Sequence, residues 1–259
     1  MRIALGIEYN GSLYSGWQKQ KHSVSIQQFV ELALSRVADC EVNVICAGRT
    51  DAGVHAMEQV IHFDTEIIRP INSWALGANT HLPFDIRVLW GIEVTGEFHA
   101  RFSAEQRSYQ YVILNRLVRP GFLHKLVTHE YRPLEIGLMQ QAANYLIGKH
   151  NFNSYRAKHC QSKTPVRTMH QLRVSRNDNF VVIEYVANAF LHHMVRNISG
   201  VLMTIGSAEK PPSWAQEILQ LQNRQHKGVT ASPDGLYLTS VQYPEKFSLP
   251  QLTNRASIW

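Results

Sequence analysis

The segment Ala47-Gly48-Arg49-Thr50-Asp51-Ala52-Gly53-Val54-His55-Ala56 gathers a guanidinium, a carboxylate and an imidazole into one short stretch, with small residues between them. Apolar runs at residues 42–45 and 60–63 read as strands, so the segment between them is a loop held at both ends. Gly48 and Gly53 permit backbone angles that other residues resist, and such a loop can push Asp51 into open space. Ordinary turn chemistry accounts for the glycines and the aspartate. It does not account for Arg49, Asp51 and His55 together. The chemistry this set supports is that of one ionised carboxylate. Inside a cleft, loss of water favours the neutral acid. An opposing guanidinium, always charged, restores the ionised form and can bind it with two prongs.

Other chemistries find no support in the residue spacing. No phosphate-binding Gly-rich loop is followed by Lys. His192-His193 is not the His-Glu-x-x-His of a metalloprotease. His55-x-x-Glu58 is not the His-x-Glu of a zinc deaminase, and no Pro-Cys-x-x-Cys follows it. No metal is expected. Further candidates are dispersed. Trp17 stands near Lys19 and Lys21, where an aromatic can face RNA, although a Trp is more often core packing. Tyr109 and Tyr111 fall on one face of a strand at residues 107–114, by default as half-buried sheet residues. Arg101 reads as a solvated surface arginine or as a phosphate contact. Lys163 belongs to a basic, polar stretch at residues 158–167, an exposed loop that can face RNA. His192, Arg196 and Ser199 fall beside the helical apolar stripe Phe190, Met194, Ile198, Val201 and Ile205.

The decapeptide resembles the signature of the tRNA pseudouridine synthase A family. The resemblance recurs in Gly16-Trp17-Gln18, in Asn79-Thr80-His81-Leu82-Pro83-Phe84-Asp85-Ile86 and in Phe98-His99-Ala100-Arg101-Phe102-Ser103. It recurs again in His192-His193-Met194-Val195-Arg196-Asn197 and in Gly235-Leu236-Tyr237-Leu238, and covers residues 3–244. Asn10, and Asn151 in His150-Asn151-Phe152, stand where the family usually has Asp. The resemblance implies an α+β chain of the pseudouridine synthase fold: two ferredoxin-like α/β domains sharing a continuous, mainly antiparallel sheet, with a central basic cleft. It implies a homodimer that acts on tRNA without a cofactor. Uridine would become pseudouridine in the anticodon stem-loop, at tRNA sites conventionally numbered 38 to 40. By resemblance Asp51 carries the chemistry and Arg196 pairs with it. Arg49 fills the space left by an extruded base, Tyr109 lies against that base, Leu236 closes the pocket, and Arg101 contacts phosphate.

The elements that must position these residues follow from periodicity. A strand alternates through Ile3, Leu5, Ile7 and Tyr9, with one buried face. A helix at residues 26–38, opened by Ser25, turns Phe29, Ala33 and Val37 to one side, with Leu32 beside them. After the Asp51 loop come a helix opened by Pro70 through Ala78 and a strand at residues 87–94. The order strand, helix, two strands, helix, strand is that of ferredoxin-like domains. A domain boundary is expected near residue 105, giving domains 1–105 and 106–246 and a peripheral tail at residues 247–259. In the second domain a helix at residues 134–146 stops at Gly148. Strands at residues 168–176 and 180–186 flank a turn at residues 177–179, Ser213 caps a helix to Leu221, and a last strand follows Gly235.

Composition sets the outer bounds. A chain of 259 residues is long for one domain and comfortable for two. At 44% hydrophobic and 18% charged it builds real cores and does not read as disordered. The formal charge of +6 suits nucleic acid without requiring it. Three cysteines form no paired framework and fit a reducing compartment. Met1-Arg2 runs straight into the first strand with no leader pattern, and no apolar run approaches a bilayer span, so a cytoplasmic protein is expected. The rival reading is a non-catalytic RNA-binding protein with ferredoxin-like domains, although the Arg/Lys-Gly-Phe/Tyr signature of such modules is absent.

Overall fold

The computed structural model describes residues 1–158, 160–223 and 229–250. Among them, in chain order, are β1 (Arg2–Tyr9), α1 (Ile26–Ala38), β2 (Ile45–Cys46), β3 (His55–Asp64), α2 (Ile71–His81) and β4 (Ile86–Val94). There follow β5 (Gln106–Asn115), β6 (Thr128–Glu130), α3 (Ile136–Asn144), β7 (Gly148–Asn151), β8 (Val166–Asn177), β9 (Phe180–Ala187), α4 (Met194–Gly206), α5 (Ser213–Leu221) and β10 (Leu236–Gln242). The class is mixed α/β with mostly antiparallel strands, as the resemblance implies. The chain packs as two compact units. Among the described residues, one comprises 1–105 and 237–250, and the other 106–236.

In the first unit β1 lies between β4 and β3, antiparallel to both. The short β2 extends β3 on part of its length, and β10 runs parallel to β3, with Tyr237 opposite His55. Ile3, Leu5 and Ile7 are fully buried, as the alternation predicts, but Ala4 and Gly6 on the other face of β1 are buried too. The reason is its central place. Gly6 lies under the Trp90 indole, and Ala4 joins a second cluster with Val60, Phe98 and Ala100. That cluster takes in Phe247, edge-on to Phe98 at 5.2 Å, with Leu249 packed against it, so residues 247–249 are anchored rather than peripheral. Residues 251–259 of the expected tail lie outside the described residues. Helix α1 has the predicted bounds, but its buried stripe is Ile26, Val30, Ala33, Leu34 and Ala38, and Leu32 is exposed. Ser25 occupies the cap position in extended backbone but makes no side-chain cap bond.

Two strand boundaries differ from the pattern for physical reasons. Val42 and Val44 are buried yet outside the ladder, because α1 side chains take their amides: Ser35 Oγ accepts from Val42 (2.9 Å) and Glu31 Oε1 from Val44 (3.2 Å). Strand β3 starts at His55, well before the apolar run at residues 60–63. Its polar residues Glu58, Gln59 and His62 are buried against partners, which hides them from a hydrophobicity reading. Trp90 Nε1 donates to Glu58 Oε1 (3.1 Å), and His62 Nδ1 accepts the Ala100 amide (3.1 Å).

His62 carries a pH dependence. Burial, with Arg2 and His99 adding to it and Asp64 opposing, lowers its pKa to about 4 from an ordinary 6.5. The folded state therefore binds fewer protons than the unfolded state between those values, and stability falls as pH drops through that window. We expect the His62 contribution to cost about 1–2 kcal/mol between pH 7 and pH 5. Denaturant midpoints at the two pH values should show a smaller acid loss in His62→Gln than in the parent. An equal loss in both assigns the effect to other groups.

In the second unit β9 lies between β5 and β8, β7 continues from β8, and all these pairings are antiparallel. The short β6 pairs with β5 in parallel. Helix α3 packs on β8 and α4, and α5 packs on α3. Helix α3 ends at Asn144, and Gly148, at φ +103, opens β7 rather than stopping the helix. Helix α4 begins only at Met194, after His193 in the left-handed region, so Phe190 lies outside it. Ser199 does not face solvent. It is fully buried and shares a 2.7 Å hydrogen bond with Tyr185 Oη. Arg167, placed by the sequence in an exposed loop, is the second residue of β8 and is half-buried.

Candidate active site

The loop at residues 47–54 is clamped nearly residue by residue within the first unit. At its start the Ala47 amide donates to Val60 C=O (2.8 Å), and Gln59 Nε2 donates to Gly48 C=O (2.6 Å). Thr50 is buried. Its hydroxyl meets Tyr9 Oη at 2.8 Å, and its carbonyl accepts the Trp17 amide at 3.0 Å. Beyond Asp51, the Val54 amide closes back on the Asp51 carbonyl (3.2 Å), and the Gly53 amide donates to Tyr14 C=O (3.2 Å). Gly53 sits at φ +78 and so uses a glycine's freedom. Gly48 is not among the positive-φ residues. Asp51 itself is half-buried, between buried Thr50 and exposed Ala52.

The clamp comes from the segment after β1. Asn10 Oδ1 accepts both the Ser12 amide (3.0 Å) and the Ser12 hydroxyl (2.6 Å), capping a 3-10 turn at Gly11–Leu13. An amide oxygen performs this as well as a carboxylate would, which gives Asn10 a structural place. Tyr14 Oη donates to Asp85 Oδ1 (2.6 Å), and the Asn10 amide donates to Asp85 C=O (2.9 Å). Burial first, then this bond to Asp85, raises the Tyr14 pKa, so the phenol keeps its proton. Gly11 lies so close to the loop that a Cβ there would be 2.0 Å from the Val54 carbonyl oxygen. The Gly11 amide donates to Nδ1 of the buried His55 (3.1 Å), whose ring stacks on Tyr237 at 4.6 Å. Trp17 is core, 1% exposed and tilted against Tyr9.

Arg49 and Arg101 are both exposed and act on a common neighbour. Burial pushes the Cys46 thiol up to about 12, while the positive charges of Arg49 and Arg101 pull the other way. The Arg101 guanidinium lies over the Phe102 ring at 5.4 Å, in a turn where His99 Nδ1 accepts the Arg101 and Phe102 amides. The first unit thus carries Asp51 and Arg49 on one loop, and Arg101 on the turn after β4 with its charge felt at Cys46.

The second unit holds the other candidates. Tyr109 on β5 is 9% exposed and edge-on to Phe190 at 4.9 Å. Arg196, in the first turn of α4, donates from Nε to Ala231 C=O at 2.9 Å. Leu236 is buried directly after Gly235, whose carbonyl accepts the Val112 amide. Lys163 is exposed on the connection into β8. The residue that sequence reasoning set aside is Tyr111. Its buried hydroxyl bonds to Thr128 Oγ1 (2.6 Å) and to Ser232 C=O (2.8 Å). Nothing in its strand pattern distinguishes it from a packing tyrosine. No helix among the described residues is long and apolar enough to cross a membrane.

A family described as tRNA pseudouridine synthase matches residues 6–103 and 142–244 of the chain. Asp51, Arg49, Arg101, Arg196 and Leu236 fall within the matched segments, and Tyr109 between them. The chain is 53% identical over all 259 residues, and over the whole relative, to the tRNA pseudouridine synthase A of Nitrosococcus oceani. It is 55% identical over 249 residues to the protein of that name from Methylococcus capsulatus, covering 96% of this chain and 92% of the relative. The corresponding protein of Pseudomonas aeruginosa is 54% identical, with 96% and 88% covered. Among solved structures, a chain of a Cbf5-Nop10-Gar1 complex overlaps 91% of this chain and 48% of its own length, at TM-score 0.36 and 9% identity.

Proposed function

This chain belongs to the tRNA pseudouridine synthase A family, and we propose that it isomerises uridine to pseudouridine in the anticodon stem-loop of tRNA with Asp51 as the catalytic carboxylate. The observation that carries the reading is the clamp: Asp51 is half-buried on a loop whose flanking groups, Thr50 and Gly53, are both tied down. A catalytic group held by packed, hydrogen-bonded neighbours meets its substrate without further ordering.

The reaction is an isomerisation. The bond from N1 to C1′ breaks, C1′ joins C5, C5 gives up its proton and N1 takes one up, so nothing is oxidised and no group is imported. A carboxylate can enter by attacking the base, by attacking C1′, or by removing a sugar proton, and all three routes use the same oxygen pair. Arg196 is the proposed cation that keeps this carboxylate ionised. The target base leaves its stack at a cost of a few kcal/mol. Arg49 takes the vacated space, and the Tyr109 ring offers a face worth about 1–3 kcal/mol to the extruded base. Leu236 closes the pocket, and Arg101 and Lys163 hold phosphates without reading sequence. The acting species is a homodimer.

The test is release of tritium from C5-labelled uridine in tRNA. The reading predicts release and a matching gain of pseudouridine. An RNA-binding protein without activity would bind the same tRNA and release none. For Arg196→Ala we expect the single-turnover rate to fall at least about tenfold while tRNA affinity changes little. A loss confined to affinity would make Arg196 a phosphate contact.

A further inference from the structure

Residues 229–235, between α5 and β10, cross the second unit as an irregular segment, yet they are tied down almost continuously. Thr230 Oγ1 donates to Asn197 Oδ1 (2.7 Å). The Ala231 amide donates to the Arg196 carbonyl (3.1 Å), and the Arg196 Nε donates back to the Ala231 carbonyl (2.9 Å). Tyr111 Oη donates to the Ser232 carbonyl (2.8 Å), and its single proton being so used, Thr128 Oγ1 is the donor in the bond between them. The Val112 amide donates to the Gly235 carbonyl (2.8 Å). Helix α4 touches the segment directly, since a Cβ on Gly200 would stand 1.7 Å from the Val229 carbonyl oxygen.

These bonds bear on one side chain. Arg196 sits where the segment and the first turn of α4 meet, and it bonds to Ala231 through both its backbone and its guanidinium. With Nε committed to Ala231, the two-pronged mode that remains for a carboxylate is end-on, through Nη1 and Nη2. The direction of that end is set by where the Ala231 carbonyl stands. Thr230 on one side of Ala231 and Ser232 on the other fix that carbonyl. Asn197 cannot swing away to release Thr230, because its Nδ2 donates to the Tyr155 carbonyl (2.8 Å).

We propose that residues 229–235 form a strap that aims the Arg196 guanidinium, with Thr230 and Tyr111 as positioning residues at its two anchor points. This rests on the reading of Arg196 given above. It adds residues that touch neither substrate nor the reacting atoms and act through Arg196.

The experiment uses the full chain and a tRNA transcript, and measures single-turnover pseudouridine formation and tRNA Kd separately. Thr230→Val keeps the shape and removes the donor, and is expected to slow turnover about five- to tenfold with Kd within about twofold of the parent. Thr230→Ser keeps the hydroxyl and should restore the rate. Tyr111→Phe, which removes the second anchor, should slow turnover in the same way. In the Arg196→Ala background Thr230→Val should cost nothing further, because the group it aims is gone. The proposal is overturned if Thr230→Val slows both backgrounds by the same factor, if Thr230→Ser fails to rescue, or if Thr230→Val and Tyr111→Phe both turn over at the parent rate. An Arg196→Ala enzyme with the parent's rate and affinity would remove the underlying reading of Arg196 as well, and is recognised by that variant alone.

Discussion

Asp51→Asn is expected to fold, to bind tRNA with unchanged affinity and to form no pseudouridine. The substitution is nearly isosteric; it removes the charge and turns one acceptor oxygen into an NH2 donor. The bonds that hold the loop run through neighbours: Tyr9 to Thr50, Trp17 to Thr50, Tyr14 to Gly53, and Gly11 to His55. The backbone bond from the Val54 amide uses the residue 51 carbonyl, which Asn retains. The backbone frame of the loop is therefore kept, and the variant should fold with a cooperative melting transition. An amide is a poor nucleophile and a poor base, so none of the three routes survives. We expect the single-turnover rate to fall by at least about a thousandfold, the scale seen when a reacting group is removed. Melting curves, tRNA binding and pseudouridine yield on one preparation separate the outcomes.

Gly11→Ala is expected to destabilise the fold strongly. The new carbon would lie 2.0 Å from the Val54 carbonyl oxygen and 2.6 Å from its carbon. Both are backbone atoms just ahead of β3 and cannot rotate away. Either the turn after β1 or the end of the Asp51 loop must move, and the bond from Gly11 to His55 Nδ1 goes with it. We expect a loss of about 2–4 kcal/mol, typical of overpacking combined with a broken buried hydrogen bond. Activity should drop even where the protein remains folded. Gly48→Ala is the control, since a Cβ there meets nothing within 4 Å. Denaturant titration and turnover of the pair decide the matter: similar behaviour of the two variants would mean that the close approach at Gly11 does not hold the loop.

Local signals in the sequence marked where helices lie, but not always their ends or the face they bury. Helix α1 spans the residues predicted yet buries a different stripe, and α5 ends at Leu221 as expected but takes Ser213 into its first turn, with Pro212 at the cap position. Strand β3 was legible only from Val60, because its first half buries His55, Glu58 and Gln59 with partners supplied from elsewhere. The Asp51 loop stood out because Arg, Asp and His crowd a stretch that a turn does not require. Its clamp did not. Tyr9 with Thr50, and Gly11 with His55, join residues far apart in the chain, and neither tyrosine nor glycine signals such a partner. The same holds for Tyr111 and Thr230, whose shared purpose exists only once residues 229–235 are folded against β5 and α4.

The most direct test maps pseudouridine at single-nucleotide resolution in one unmodified tRNA pool, treated in parallel with the parent enzyme and with Asp51→Asn. The account predicts pseudouridine in the anticodon stem-loop, at the conventional sites 38 to 40, after treatment with the parent and none there after treatment with the variant. The same sites modified by both proteins, or modification by the parent only outside the anticodon arm, would contradict it.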